Sequence, residues 1–173
     1  RRPPFGAKSL QGGHDMLREY NVLKNLKSQF SKVPDVFLYC DNNEILGAPF
    51  YLMERVEGYI IRPNLQQKDS PGSDIIQNVS KSLVSTLVEL HNVNIEKANL
   101  KDLGNINGYV KRQVEGWIKR YNHSKTDNIS NMDFISSWLY ENQPSEVGSS
   151  IVHNDFKYDN LVLDKDDFSK TSA

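Results

Sequence analysis

The chain has 173 residues, a formal net charge of -1 at pH 7, 38% hydrophobic residues and 25% charged ones. That is enough sequence to bury a core, in the proportions of an ordinary globular protein, which sets aside a disordered chain. No Lys/Arg block is dense enough to follow a nucleic-acid backbone, and no apolar run approaches the roughly 20 residues that span a bilayer. The expected partners therefore include neither nucleic acid nor membrane. The lone cysteine, Cys40, closes no internal disulfide and fits a reducing, cytoplasmic setting. Its context, Val36-Phe-Leu-Tyr-Cys40, predicts a buried and inert thiol.

The chain opens on Arg1-Arg-Pro-Pro4. Residues 15–29 read as a helix with an apolar stripe of Leu17, Tyr20, Val22, Leu23 and Leu26, and Asp15 is the N-cap or a first-turn acid. Val36 to Cys40 reads as a strand, Asp41-Asn-Asn43 as a turn, and Ile45-Leu46 with Phe50 to Met53 as the apolar return of a hairpin. Gly58 then offers a positive φ for a sharp change of direction. After a variable loop, Pro71-Gly72-Ser73 announces a second helix carrying Ile76, Val79, Leu83, Leu87 and Leu90. A third helix is expected over 106–121. A fourth, over about 131–141, would be capped by Asn131 or Ser130 and stopped by Pro144. On these helices Trp117 and Trp138 are expected in the core.

A polar loop at 153–160 follows, with short strand-like apolar runs on both sides. The order predicts an α+β fold of two lobes: a partial small lobe with the hinge at 1–57 and a partial, mainly helical large lobe at 58–173 that carries the loop. Both ends look cut, and the run at 161–163 has little sequence after it to supply a strand partner.

The loop carries the chemistry. In Ile151-Val-His-Asn-Asp-Phe-Lys-Tyr-Asp-Asn160, Asp155 offers a carboxylate to an attacking hydroxyl. Asn160 offers an amide oxygen to Mg²⁺ without adding negative charge. Such a division suits phosphoryl transfer from a nucleotide, where the protein supplies positioning and electrostatics. Read residue by residue, Asp155 could also cap its own loop, Asn160 could be a turn residue, and Lys157 could be a solvated lysine.

This segment resembles the aminoglycoside phosphotransferase and choline-kinase-like family, which shares the protein-kinase fold. The family pattern is His-Gly-Asp, four residues, then Asn, and Asn154 stands here in place of the glycine. The resemblance implies that Asp155 is the catalytic base, Asn160 the metal ligand, His153 a largely architectural residue and Lys157 a contact for the phosphoryl group or the acceptor. It extends to Arg18-Glu-Tyr20, which makes Glu19 the helix carboxylate that positions a cation over the nucleotide phosphates, with Arg1 as that cation. Pro49-Phe-Tyr-Leu-Met-Glu-Arg-Val-Glu-Gly58 is similar to the strand and hinge that border adenine, so Met53, Glu54 and Val56 are implied nucleotide contacts.

Together these motifs are most similar to the kinase-like domain fused to some acyl-CoA dehydrogenases. That implies ATP and Mg²⁺ as cofactors and a hydroxyl-bearing small molecule as acceptor, such as a hydroxyacyl-CoA. The family's second metal-binding aspartate is expected beyond residue 173, and Asp167-Phe168 is expected in a turn with Asp164 and Asp166. Residues 1–173 alone are therefore expected to turn over little ATP.

Two other functions stay open. One is an aminoglycoside or amino-alcohol kinase, for which Asp127, Asp133, Glu141 and Glu146 supply acid. The basic run of Lys111, Arg112, Lys119, Arg120 and Lys125 leans instead toward a phosphorylated or CoA-bearing acceptor. The other is a nucleotide-binding module without turnover. A homodimer is left open.

Overall fold

The computed structural model describes residues 1–4, 14–62 and 72–173. It is mixed α+β, a small sheet with a larger helical region. Its contacts divide it into two compact units: Arg1–Lys101 with Ser150–Ala173, and Asp102–Ser149. The lobe boundary expected near 57/58 lies within the first of these.

In the first unit, α1 (Met16–Leu26) starts where Asp15 accepts a hydrogen bond from the Arg18 backbone amide at 3.0 Å, satisfying one of the orphan donors of the first turn. It buries Met16 and Leu26, while Leu17 stays on the surface. Strand β1 (Val36–Cys40) pairs antiparallel with β2 (Phe50–Met53), with Tyr39 opposite Tyr51 and Cys40 opposite Phe50. A register break between Val36 and Leu38 turns Phe37 out to solvent.

The connection is not the plain turn that the sequence suggests. Asn42 accepts from the Glu44 amide and nucleates a one-turn helix, α2 (Asn43–Leu46), closed by Gly47 at φ 72°. Ile45 and Leu46, expected on the returning strand, are exposed residues of that turn. Cys40 is only half-buried.

The long helix α3 (Ser73–His91) begins after Gly72; Pro71 and the loop before it lie outside the described residues. Its buried line is Val79, Ser82, Thr86 and Leu90, whereas Ile76 is exposed. Small hydroxyl residues occupy the inner face because that face receives Thr171. Thr86 donates to the Thr171 hydroxyl at 3.0 Å, and Ser82 lies 2.7 Å from the same oxygen. All three are buried, and the mutual bonds offset their loss of water.

The chain crosses itself around Leu163, which bridges to Tyr59 on one side and to Thr171 on the other. These two segments are the partners that the 161–163 run seemed to lack. Tyr59 and Leu163 exchange both backbone hydrogen bonds at 2.9 Å. Gly58 has no positive φ, contrary to expectation. It is glycine because the backbone of Leu163 passes against its Cα, leaving no room for a side chain. Between 163 and 171 the chain turns on Asp164, whose Oδ1 accepts from the amides of Asp166 and Asp167, so the aspartates do sit in a turn.

In the second unit, α4 (Tyr109–Ser124) packs on α5 (Ser130–Glu141). Neither Ser130 nor Asn131 caps α5; Ile129 holds the cap position without a side-chain bond. Residues 102–149 include no fully buried side chain, and Trp117 and Trp138 are 64% and 51% exposed, not core. Trp117 is instead covered by the Arg120 guanidinium, 4.7 Å from the ring centroid.

Candidate active site

The loop is strung between buried anchors, Ile151 before it and Leu161 and Leu163 after it. Apolar burial at both ends holds an exposed polar segment in place without burying its backbone. His153 is architectural in geometry: its Nδ1 accepts from the Asp155 amide at 3.3 Å, and its ring meets Phe156 edge-on at 5.5 Å. Asn154 has φ 66°, in the left-handed region. Glycine adopts that conformation freely and asparagine is among the few side chains that tolerate it. Asn154 can therefore replace a glycine without reshaping the loop.

Asn160 closes the loop onto Asp155. Its amide nitrogen donates at 2.8 Å to the Asp155 backbone carbonyl and at 2.8 Å to Oδ2 of the Asp155 carboxylate. Both partners can only accept, so the nitrogen is fixed on this side and Oδ1 faces away. Oδ1 has no partner among the described residues. Lys157 sits between two carboxylates, 3.4 Å from Asp155 Oδ1 and 3.7 Å from Asp159 Oδ1. The Asn160 hydrogen bond, followed by the Lys157 charge, holds the Asp155 carboxyl below its ordinary value. Tyr158 steadies the 3₁₀ turn Tyr158–Asn160. Ser80 of α3 uses its proton on the Ile76 carbonyl, so the Tyr158 hydroxyl is the donor in their 3.2 Å contact.

A second group gathers at β2. The Glu19 carboxylate Oε2 accepts from Arg1 Nε at 3.3 Å and from the Tyr51 hydroxyl at 3.2 Å. The Arg1 backbone pairs with Tyr51 in both directions, at 2.9 and 3.0 Å. The pairing of Arg1 with Glu19 is the one that the resemblance implies, and Tyr51 joins it as a partner that no motif marks. The run Phe50-Tyr-Leu-Met53 carries no polar alternation to mark its facing, and Phe50 and Tyr51 are both buried.

A third group is the segment after β2. Met53 still pairs with Val36, and Glu54 is held by Asp35 through its amide (2.8 Å) and its carboxylate (3.0 Å). Beyond it, the peptide groups of Arg55, Val56 and Glu57 have no hydrogen-bond partner among the described residues. No hydrogen bond or ion pair among the described residues joins the loop residues to Arg1, Glu19 or Met53–Val56. What ties the third group to the loop is backbone: the Tyr59–Leu163 bridge.

Comparison with known proteins settles the family. Residues 1–169 match the model of the phosphotransferase enzyme family, APH. The chain belongs to this family. It is 41% identical over 164 residues to acyl-CoA dehydrogenase family member 11 of Rattus norvegicus and 35% identical to that of Homo sapiens, covering 94% of this chain and 21% of each relative. It is 33% identical to the probable acyl-CoA dehydrogenase IBR3 of Arabidopsis thaliana, covering 94% of this chain and 20% of that protein. The chain thus spans about a fifth of the length of the curated relatives it matches.

Among solved structures, it superposes with a TM-score of 0.79 and 27% identity on a Ralstonia eutropha JMP134 protein described as "a putative aminoglycoside phosphotransferase", covering 91% of this chain and 48% of that one. The fold is part of an APH-like, two-lobed kinase architecture, related to the kinase domains fused to acyl-CoA dehydrogenases.

Kinases of the APH family work with ATP and Mg²⁺. The donor chemistry here fits such a cation: Asn160 Oδ1 is a neutral, hard oxygen next to a carboxylate. Among the described residues no group of three or more His, Cys, Asp or Glu converges into a metal cage. No helix among the described residues is long and apolar enough to cross a membrane.

Proposed function

We propose that this chain is the nucleotide-facing and catalytic-loop part of an ATP-dependent small-molecule kinase whose acceptor is a hydroxyl on a CoA-linked acyl chain. The observation that carries this reading is the closure of Asn160 onto Asp155, which leaves an ionised carboxylate beside an outward amide oxygen in an exposed loop. Asp155 orients the attacking hydroxyl and takes its proton late, when the oxygen has become acidic, so a weakly basic carboxylate suffices. Lys157 keeps that carboxylate ionised and supports charge on the transferred group. His153 holds the loop. Asn160 would hold the magnesium ion, which when bound neutralises the phosphate oxygens.

Arg1, held by Glu19, faces the phosphates, and the peptide groups of 55–57, unpaired among the described residues, serve the base together with Met53 and Glu54. On this reading the lobes divide at 57/58, and the protein works in the cytoplasm. The relatives' names supply the CoA-linked acceptor, and the basic face of α4 agrees with it.

A second acceptor class, amino sugars or amino alcohols, is favoured by a groove of about 360 Å³ between α4 and α5. It is lined by Asp133 and Glu141 with Asn122, Ser136 and Tyr140. The deciding experiment offers hydroxyacyl-CoAs, amino alcohols and aminoglycosides, with ATP and Mg²⁺, to the chain and to a longer protein containing it. Phosphate-ester formation is followed by ³¹P NMR. We expect phosphorylated hydroxyacyl-CoA from the longer protein, reduced roughly 10²–10⁴-fold by Asp155→Asn. Product from aminoglycosides alone would favour the second class. ATP binding with no product from any acceptor would leave a nucleotide-binding module and defeat the proposal.

A further inference from the structure

Tyr51 lies in β2 with 3% of its surface exposed, and its ring is flanked by Tyr20 at 6.3 Å. Its backbone pairs with Arg1 and its hydroxyl meets the same carboxylate oxygen that Arg1 meets. Three residues from three segments thus form a closed triangle: the first residue, helix α1 and strand β2. An ion pair between a glutamate and an arginine that is 54% exposed is weak and leaves both side chains free to wander. A hydroxyl fixed by burial removes that freedom from the glutamate.

We infer that Tyr51 is a positioning residue: it anchors Glu19 so that Arg1 is presented toward the nucleotide phosphates, and it keeps Glu19 partnered when Arg1 turns to them. The inference rests on the phosphate-side role proposed above for Arg1 and Glu19. The chemistry suits it. Burial, reinforced by the Glu19 charge, pushes the Tyr51 phenol up to about 12, so it stays a donor through the neutral range. Its hydroxyl takes no partner among the described residues other than Glu19.

The test uses Tyr51→Phe, which keeps the ring and deletes the hydroxyl, with two probes, ATP with Mg²⁺ and adenosine. If Tyr51 acts through Glu19 and Arg1, the Kd for ATP rises about fivefold while that for adenosine is unchanged, since adenosine has no phosphates to feel the shift. Glu19→Gln should also weaken ATP, and the double variant should be little worse than the worse single one, as expected of coupled groups. Equal weakening of ATP and adenosine would mean that the hydroxyl only supports the fold. ATP affinity untouched by Tyr51→Phe but lowered by Glu19→Gln would overturn the inference alone. ATP affinity untouched by Glu19→Gln and by Arg1→Ala, or no ATP binding by the unmutated protein, would remove the underlying reading as well.

Discussion

A Cβ placed on Gly58 would lie 2.3 Å from the carbonyl oxygen of Leu163 and 2.6 Å from a methyl carbon of Val162. The segment leaving β2 and the segment leaving the 153–160 loop therefore touch backbone to backbone, and they touch where the Tyr59–Leu163 hydrogen bonds form.

Gly58→Ala should accordingly destabilise the protein by about 1–3 kcal/mol, the usual cost of forcing extra volume into a packed site. Gly116→Ala is the contrast. Gly116 lies inside α4 and its added carbon would meet only the flexible end of Arg120 at 3.7 Å. There alanine should stabilise by up to about 1 kcal/mol through helix propensity. Denaturant titration of both variants measures the difference; a neutral Gly58→Ala would show that the crossing is soft.

The acid limb of activity should report on Asp155. Its carboxyl is held below the ordinary value by Asn160 first and Lys157 next. A depressed folded-state pKa means that the ionised form, and whatever it stabilises, is fully present above the ordinary value of about 4 and is lost only as pH falls through the lower folded one. The acid limb of kcat/KM should thus lie below about pH 4, with assays limited by overall unfolding there. Asn160→Ala should move the midpoint of Asp155, followed by carboxyl-carbon NMR, upward toward the ordinary aspartate. No movement would mean that Lys157 carries the shift.

Asn154 makes a conformational prediction. Its φ of 66° suits glycine and asparagine and opposes branched side chains. Asn154→Gly should leave stability within about 0.5 kcal/mol, and Asn154→Val should cost about 1–2 kcal/mol and lower activity by displacing Asp155. Thermal melts, paired with ATP turnover by a longer protein containing the chain, check both.

Much of this was legible in the sequence, and where it failed the reasons are local. The helical period placed α1, α3, α4 and α5, and apolar residues bounded by Pro34 and the Asp41-Asn-Asn43 turn placed β1. The five-residue spacing of Asp155 and Asn160 is short enough for the two side chains to meet, and in a loop held between buried anchors they do, through a hydrogen bond. Periodicity could not announce that the inner face of α3 would carry Ser82 and Thr86, since hydroxyl residues look outward until a buried partner such as Thr171 is known. It could not separate the two demands that select glycine, either, and Gly58 answers to close approach and not to φ. Size and apolar spacing point Trp117 to the core, but in 102–149 there is no buried side chain to pack against and Arg120 covers the ring instead.

The hydroxyl trio offers a further check. Thr171→Val keeps the shape but leaves Ser82 and Thr86 without their shared partner in a buried place, at a cost of about 1–3 kcal/mol. Replacing all three, by Ser82→Ala, Thr86→Val and Thr171→Val together, should recover part of that loss, because no polar atom then remains unsatisfied. Equilibrium unfolding of the single and triple variants distinguishes these outcomes, and a triple variant much worse than the single one would contradict the account.

Leu163 is gripped from both flanks, by Tyr59 and by Thr171, only three positions after Asn160. A tug on either neighbour is delivered to one short rod of backbone, whose near end sets where the Asn160 amide stands. A substitution that loosens either crossing is therefore expected to be felt at Asn160 as well as at its own position.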